Sequence, residues 1–137
     1  MTFLAMMAFA ASLQGGWTWT LYEDAGALVL ANEVPDTPQL RTVVECAPGS
    51  GVARLDLYGS AQAAGMATVE SGSATATAES ETTGDHRSVV LRTDHPVFGQ
   101  FLATGAIDVA VAGRHQTVTV EPAHLAKLRR FAELCGG

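Results

Sequence analysis

Residues 40–58 read LRTVVECAPGSGVARLDLY and decide the fold. Two runs in which apolar and polar residues alternate flank the turn sequence PGSG, which is the pattern of a β-hairpin. Pairing Cys46 with Ala53 collects apolar side chains on one face and places Glu45 opposite Arg54 on the other. Because a shift of one residue would move each set to the wrong face, we expect this register.

The clearest helix pattern, residues 122–135, reads PAHLAKLRRFAELC and contains the second cysteine. Its apolar residues recur at helical spacing on the same face as Cys135. Pro122 suits the first helical turn, and Gly136 suits the left-handed conformation that often ends a helix. The hairpin places Cys46 on its buried face, so a disulfide between the two cysteines is expected to fasten the helix to the sheet. Two buried free thiols are the alternative.

The remaining chain alternates short strand patterns with turn sequences. A short helix is expected over residues 97–103, with Asp94 as its N-cap and Gly105 at its end. The sequence therefore predicts a mainly β protein, an antiparallel β-sandwich or curled sheet of about eight short strands with a C-terminal α-helix packed on it. Residues 17–137 are expected to form this single β-rich domain.

Residues 74–79, ATATAE, alternate as a strand does but carry very small side chains. Because small side chains bury little area, this strand is expected at an edge or in a closely packed layer. The polar residues 80–85 that follow are expected to form a mobile link. A final hairpin is expected around Gly113 and Arg114, with His115 at its tip.

The composition excludes some classes of function. The chain has 137 residues and a formal net charge of −6, with scattered arginines. Because nucleic-acid binding needs a basic patch, we expect no nucleic-acid partner. No phosphate-binding loop, nucleophile elbow or short metal-ligand spacing is present, so no catalytic residue, cofactor or metal is expected.

The apolar run FLAMMAFAA predicts a signal peptide over residues 1–11, cleaved after Ala10, although no Lys or Arg precedes it. A buried N-terminal helix or strand is the alternative. The run is too short to span a bilayer, so no stable membrane anchor is expected after cleavage. With the disulfide, this segment predicts a periplasmic or secreted protein.

The alternative hypothesis, a protein with catalytic or metal-binding chemistry, is based on two Asp-His dipeptides. A small hydrolase or metal-binding protein would use Asp85, His86, Asp94, His95 and His124. However, His86 and His95 flank one predicted strand and would be roughly 25–30 Å apart. Each dipeptide also suits a turn, so a shared site is the weaker hypothesis.

The leading hypothesis is a small exported domain without catalytic activity that binds a protein or an envelope component through a sheet edge or loops. Trp17, Trp19 and Tyr22 suggest a carbohydrate- or peptide-binding face, although two tryptophans on one face of a strand more often belong to the core. An inhibitor-like domain would instead present residues 34–38 or 80–86. The partner and the oligomeric state stay open.

Overall fold

The computed structural model describes residues 16–24, 26–59 and 65–136, which form a nine-stranded antiparallel sheet curled into a half-barrel. The strands are β1 (Thr18–Asp24), β2 (Ala27–Glu33), β3 (Leu40–Cys46), β4 (Val52–Tyr58), β5 (Gly65–Ser71), β6 (Ala74–Thr83), β7 (His86–Arg92), β8 (Ala106–Val111) and β9 (Arg114–Thr119). Their order in the sheet is β1-β2-β3-β4-β7-β6-β5-β8-β9, so β1 and β9 are its edges. The predicted mainly β class is confirmed as a curled sheet. The signal peptide predicted over residues 1–11 lies outside the described residues.

The β3–β4 hairpin has the register read from its sequence. Cys46 lies opposite Ala53, and Glu45 lies opposite Arg54. The Arg54 guanidinium donates a hydrogen bond to the Glu45 carboxylate, so the outer face of the hairpin carries the expected ion pair. The predicted alternation is therefore confirmed on both faces.

One face of the sheet is apolar and carries two helices. Helix α1 (Pro96–Thr104) packs against β5, β6 and β8, and helix α2 (Leu125–Gly136) packs against β1, β2 and β4. A 3-10 turn (Pro122–His124) precedes α2. The prediction that Pro122 lies in the first turn of the α-helix is therefore wrong, because the α-helix begins at Leu125. The largest fully buried side chains are Trp19, Phe98, Phe101, Phe131, Leu30, Leu57, Ile107 and Leu128.

The C-terminal end of α2 is fastened to the turn between β3 and β4. Cys46 and Cys135 form the predicted disulfide, with their Cα atoms 5.8 Å apart. In addition, the backbone N–H of Gly49 donates to Leu134 O at 3.0 Å, and that of Gly51 donates to Cys135 O at 2.8 Å. These donors satisfy the last carbonyl groups of the helix. Its end therefore needs no left-handed residue, and the prediction for Gly136 is wrong because this residue stays helical.

Two further local predictions are corrected. Residues 80–83 are not a mobile link, because they extend β6 and pair with β7, leaving a tight turn at Gly84 (φ 58°). The last hairpin turns at Ala112 (φ 52°) and Gly113 (φ 79°), the two positive dihedrals of a two-residue hairpin turn. His115 therefore lies within β9 and not at a tip.

Reducing the disulfide, or replacing both Cys46 and Cys135 with alanine, is expected to lower the free energy of unfolding by about 4–5 kcal/mol. The reason is that the bond joins residues 89 positions apart and so restricts the unfolded chain. Chemical denaturation with and without reductant measures the loss. The double variant is the control, because reductant should not shift its midpoint. A loss below about 1 kcal/mol would contradict the prediction.

Candidate functional site

Strand β6 changes partners along its length, and this change opens the sheet. Residues 74–80 pair with β5, whereas only residues 80–83 pair with β7. Strand β7 continues along β4 until Arg92 lies opposite Val52. Within the described part of the chain, no strand therefore pairs with the second edge of residues 74–79. Such an edge presents backbone N–H and C=O groups that another strand can bind.

The opening continues as a groove on the outer face of the sheet, opposite the helices. We call it the β6 groove, and its volume is about 670 Å³. Its lining comes from the outer sides of β4, β6 and β7. The lining residues are Arg54, Thr77, Ala78, Glu79, Glu81, Thr83, His86, Ser88 and Val90.

A buried carboxylate stabilises the wall formed by β4 and β7. Asp56 is 2% exposed and accepts hydrogen bonds from Ser88 Oγ at 2.7 Å and from Arg54 Nε at 3.1 Å. The hydrogen bond to Asp56 raises the pKa of Arg54, so this guanidinium stays charged. Because Arg54 also pairs with Glu45, two carboxylates share its single positive charge, and the cluster keeps one net negative charge.

The opposite wall, formed by β6, carries negative charge without a balancing cation. Glu79 and Glu81 are both exposed and line the groove. Neither forms an ion pair with any residue that the structure describes. The β6 groove therefore has unpaired carboxylates on one side, whereas the carboxylates of the other side share the charge of Arg54.

One exposed apolar side chain, Val90, lines the same groove, and two more lie on β4 and β5. Val90 is 51% exposed and Val52 is 39% exposed, and the two lie on neighbouring strands of the outer face. Met66 is 56% exposed and lies opposite Glu79 in the β5–β6 hairpin. Of the four large apolar side chains that are exposed in the described residues, only Tyr22 lies elsewhere. An unpaired strand edge, unbalanced acids and accessible apolar groups thus occur together.

The histidines proposed as alternative site residues lie in separate places. His86 begins β7, where its ring packs on Tyr58 with centroids 4.8 Å apart and its Nδ1 lies 3.2 Å from Asp85 Oδ1. Burial raises the pKa of Tyr58. His95 follows the other end of the same strand, as predicted.

His95, and not Asp94, caps α1, because its Nδ1 accepts a hydrogen bond from Val97 N at 3.0 Å. Asp94 instead binds Arg92, whose guanidinium holds the pKa of that carboxyl below its usual value. His124 lies in the 3-10 turn before α2. Among the described residues, no three side chains of His, Cys, Asp or Glu come together as metal ligands.

The aromatic residues of β1 divide between the two faces of the sheet. Trp19 is 2% exposed and belongs to the core. Tyr22 lies on the outer face and donates a hydrogen bond to Glu33, which raises its pKa. Trp17 is half-buried, with the Arg41 guanidinium 4.0 Å from its ring centroid. These three residues therefore do not form one binding face.

A further Asp-His pair lies on the outer face of β8 and β9. Asp108 accepts hydrogen bonds from His115 Nδ1 at 2.7 Å and from Thr117 Oγ1 at 2.9 Å. Because Thr117 donates to the carboxylate and not to the imidazole, the arrangement supplies no activated hydroxyl. The pair was not found in the sequence, because its members are close only once β8 and β9 are paired.

The groove residues Glu79, Glu81 and Val90 were also not predicted as site residues. One signal pointed towards them, namely the run of very small side chains over residues 74–79, which predicted a strand at an edge or in a closely packed layer. Strand β6 lies inside the sheet, but residues 74–79 have one unpaired side because β6 pairs with β7 only from residue 80 onward.

No protein-family model matches the chain, and neither the curated proteins nor the solved structures include a match. None of the described helices has both the length and the apolar content needed to cross a membrane.

Replacing Ser88 with alanine is expected to lower the free energy of unfolding by about 1–2 kcal/mol, because the buried Asp56 carboxylate loses a hydrogen-bond donor. Urea denaturation measures this change. Ser73→Ala is the matched control, since Ser73 is exposed in the β5–β6 turn and its replacement should cost less than about 0.5 kcal/mol. Equal effects of the two substitutions would contradict the role given to Ser88.

Proposed function

We propose that this protein is an exported, non-catalytic binding domain that takes an extended segment of a partner protein into the β6 groove. The partner segment would add as a strand along residues 74–79 and hydrogen-bond to their free backbone groups. The observation that carries this proposal is the unpaired second edge of those residues in the middle of the sheet. Strand addition is a recurrent way for sheet proteins to bind peptides.

The charges of the groove favour a basic partner segment. Glu79 and Glu81 face the groove without cations of their own, whereas Arg54 is already paired. Lysine or arginine on alternate positions of an added strand would lie beside these carboxylates, because side chains on one face of a strand recur at every second residue. Val90, which lines the groove and is exposed, offers apolar contact.

Export is the second component of the proposal. The Cys46–Cys135 disulfide is compatible with an oxidising compartment. The apolar segment within residues 1–11 adds the sequence argument for a leader. A periplasmic or secreted location accounts for both features.

The binding proposal is tested with a blocked nonapeptide of alternating threonine and lysine. Calorimetry should detect binding, and hydrogen exchange should show new protection at residues 74–79. The same peptide with alternate amides N-methylated keeps its charge but loses backbone donors, so it should not bind. Equal binding of both peptides would mean that charge alone attracts them and would overturn strand addition.

Charge reversal tests the acidic wall. Replacing Glu79 and Glu81 with lysine should weaken binding of the threonine-lysine peptide by about tenfold, which corresponds to about 1.4 kcal/mol. Glu70→Lys is the matched control, because Glu70 is also an exposed strand glutamate but does not line the β6 groove. If Glu70→Lys weakens binding as much as the double variant, the acidic wall has no specific role.

Export is tested by the intact mass of the protein recovered from a fractionated host after thiol labelling. The envelope or secreted fraction should contain a chain cut near Ala10, with both cysteines protected until reductant is added. An uncut chain with two labelled cysteines in the cytosolic fraction would overturn the exported location. It would leave the binding proposal to be judged on the peptide experiments.

A further inference from the structure

The two edges of the curled sheet meet around a second pocket. Its volume is about 400 Å³, and its lining comes from β1 to β3 on one side and from β9 and the following turn on the other. No residue lines both this pocket and the β6 groove, so the two sites are separate. Pockets of this size are typical for small-molecule ligands.

A stacked cation forms one wall of the edge pocket. The guanidinium carbon of Arg41 lies 4.0 Å from the centroid of the Trp17 ring. A guanidinium that packs on an indole ring can still use its planar set of N–H donors to bind a carboxylate. Among the residues that the structure describes, Arg41 has no ion-pair partner.

A second cation is held beside the pocket by a backbone oxygen. Lys127 Nζ donates to Trp19 O at 2.6 Å and lies 3.4 Å from His124 Nδ1. Because an ammonium group only donates, His124 Nδ1 must be the acceptor, so a neutral His124 carries its hydrogen on Nε2. His124 also lines the pocket, so this cation lies next to the site.

A buried donor belongs to the same site. Trp19 lines the pocket and is 2% exposed, yet its indole N–H has no hydrogen-bond partner in the described structure. A buried N–H group without a partner is costly, and native proteins rarely retain one. Glu121 is the single acidic residue of the lining, and it is exposed. The lining thus holds one cation and one acid, and Lys127, which contacts the lining residues Trp19 and His124, adds a second positive charge in a chain whose net charge is −6.

We propose that the edge pocket binds a small carboxylate-bearing ligand, with the guanidinium of Arg41 as its main anchor and Lys127 as the second positive charge. A sugar acid and the C-terminal residue of a peptide present the same carboxylate, and the pocket size admits either. This inference does not depend on strand addition at the β6 groove.

Intrinsic fluorescence reports on the pocket directly, because both tryptophans of the chain line it. Titration of the purified full chain with glucuronate should give a saturable change, whereas glucose, which lacks the carboxylate, should not. The same titration is repeated with N-acetyl-alanyl-alanine, once with a free C-terminus and once as the C-terminal amide. Binding of glucuronate alone would identify a sugar acid as the source of the carboxylate, and binding of the free peptide alone would identify a chain terminus.

Arg41→Gln should weaken carboxylate binding by at least tenfold, since a charge-assisted hydrogen-bond donor is lost. Arg92→Gln is the control, because Arg92 is an exposed arginine at the end of β7 that already pairs with Asp94. Arg41→Gln should leave binding of the threonine-lysine peptide unchanged. The proposal is overturned if neither carboxylate binds, if the neutral counterparts bind equally well, or if Arg92→Gln weakens binding as much as Arg41→Gln.

Discussion

The attachment of the last helix to the β3–β4 turn is the interaction on which the rest of the structure depends. The disulfide between Cys46 and Cys135 and the amides of Gly49 and Gly51 all act at the same helix end. They hold α2 over β1, β2 and β4, where Leu128 and Phe131 complete the core.

The same helix also organises the first edge of the sheet. The ammonium group of Lys127 donates a hydrogen bond to the backbone oxygen of Trp19, and Arg130 forms an ion pair with Glu23 near the end of β1. Charged side chains along an edge strand discourage pairing with other chains. The charged side chains at the unpaired edge of residues 74–79 are instead Glu79 and, just beyond it, Glu81, which disfavour an acidic strand and favour a basic one. The contrast supports the assignment of partner binding to β6 and not to β1.

Both proposed sites lie where two strands run close to each other without pairing. The β6 groove begins where β6 leaves β7 to follow β5, and the edge pocket lies where β1 and β9 approach without forming a ladder. At the β6 groove the backbone edge of residues 74–79 lacks a partner strand, and at the edge pocket the buried indole N–H of Trp19 lacks a hydrogen-bond partner in the described structure. A ligand that supplies acceptors or a further strand satisfies them, which is why binding is expected there.

The sequence by itself determined the local units of this protein. Side-chain alternation set the register of Cys46 against Ala53, and helical spacing placed Cys135 on the buried face of α2, so the disulfide followed from both. Only the tertiary structure decided that β4 pairs with β7, that β5 pairs with β8, and that residues 74–79 keep a free edge. The physical reason is that backbone hydrogen bonds between strands are nearly independent of side-chain identity. Local patterns therefore define a strand and its faces, whereas its neighbours depend on how the whole core packs.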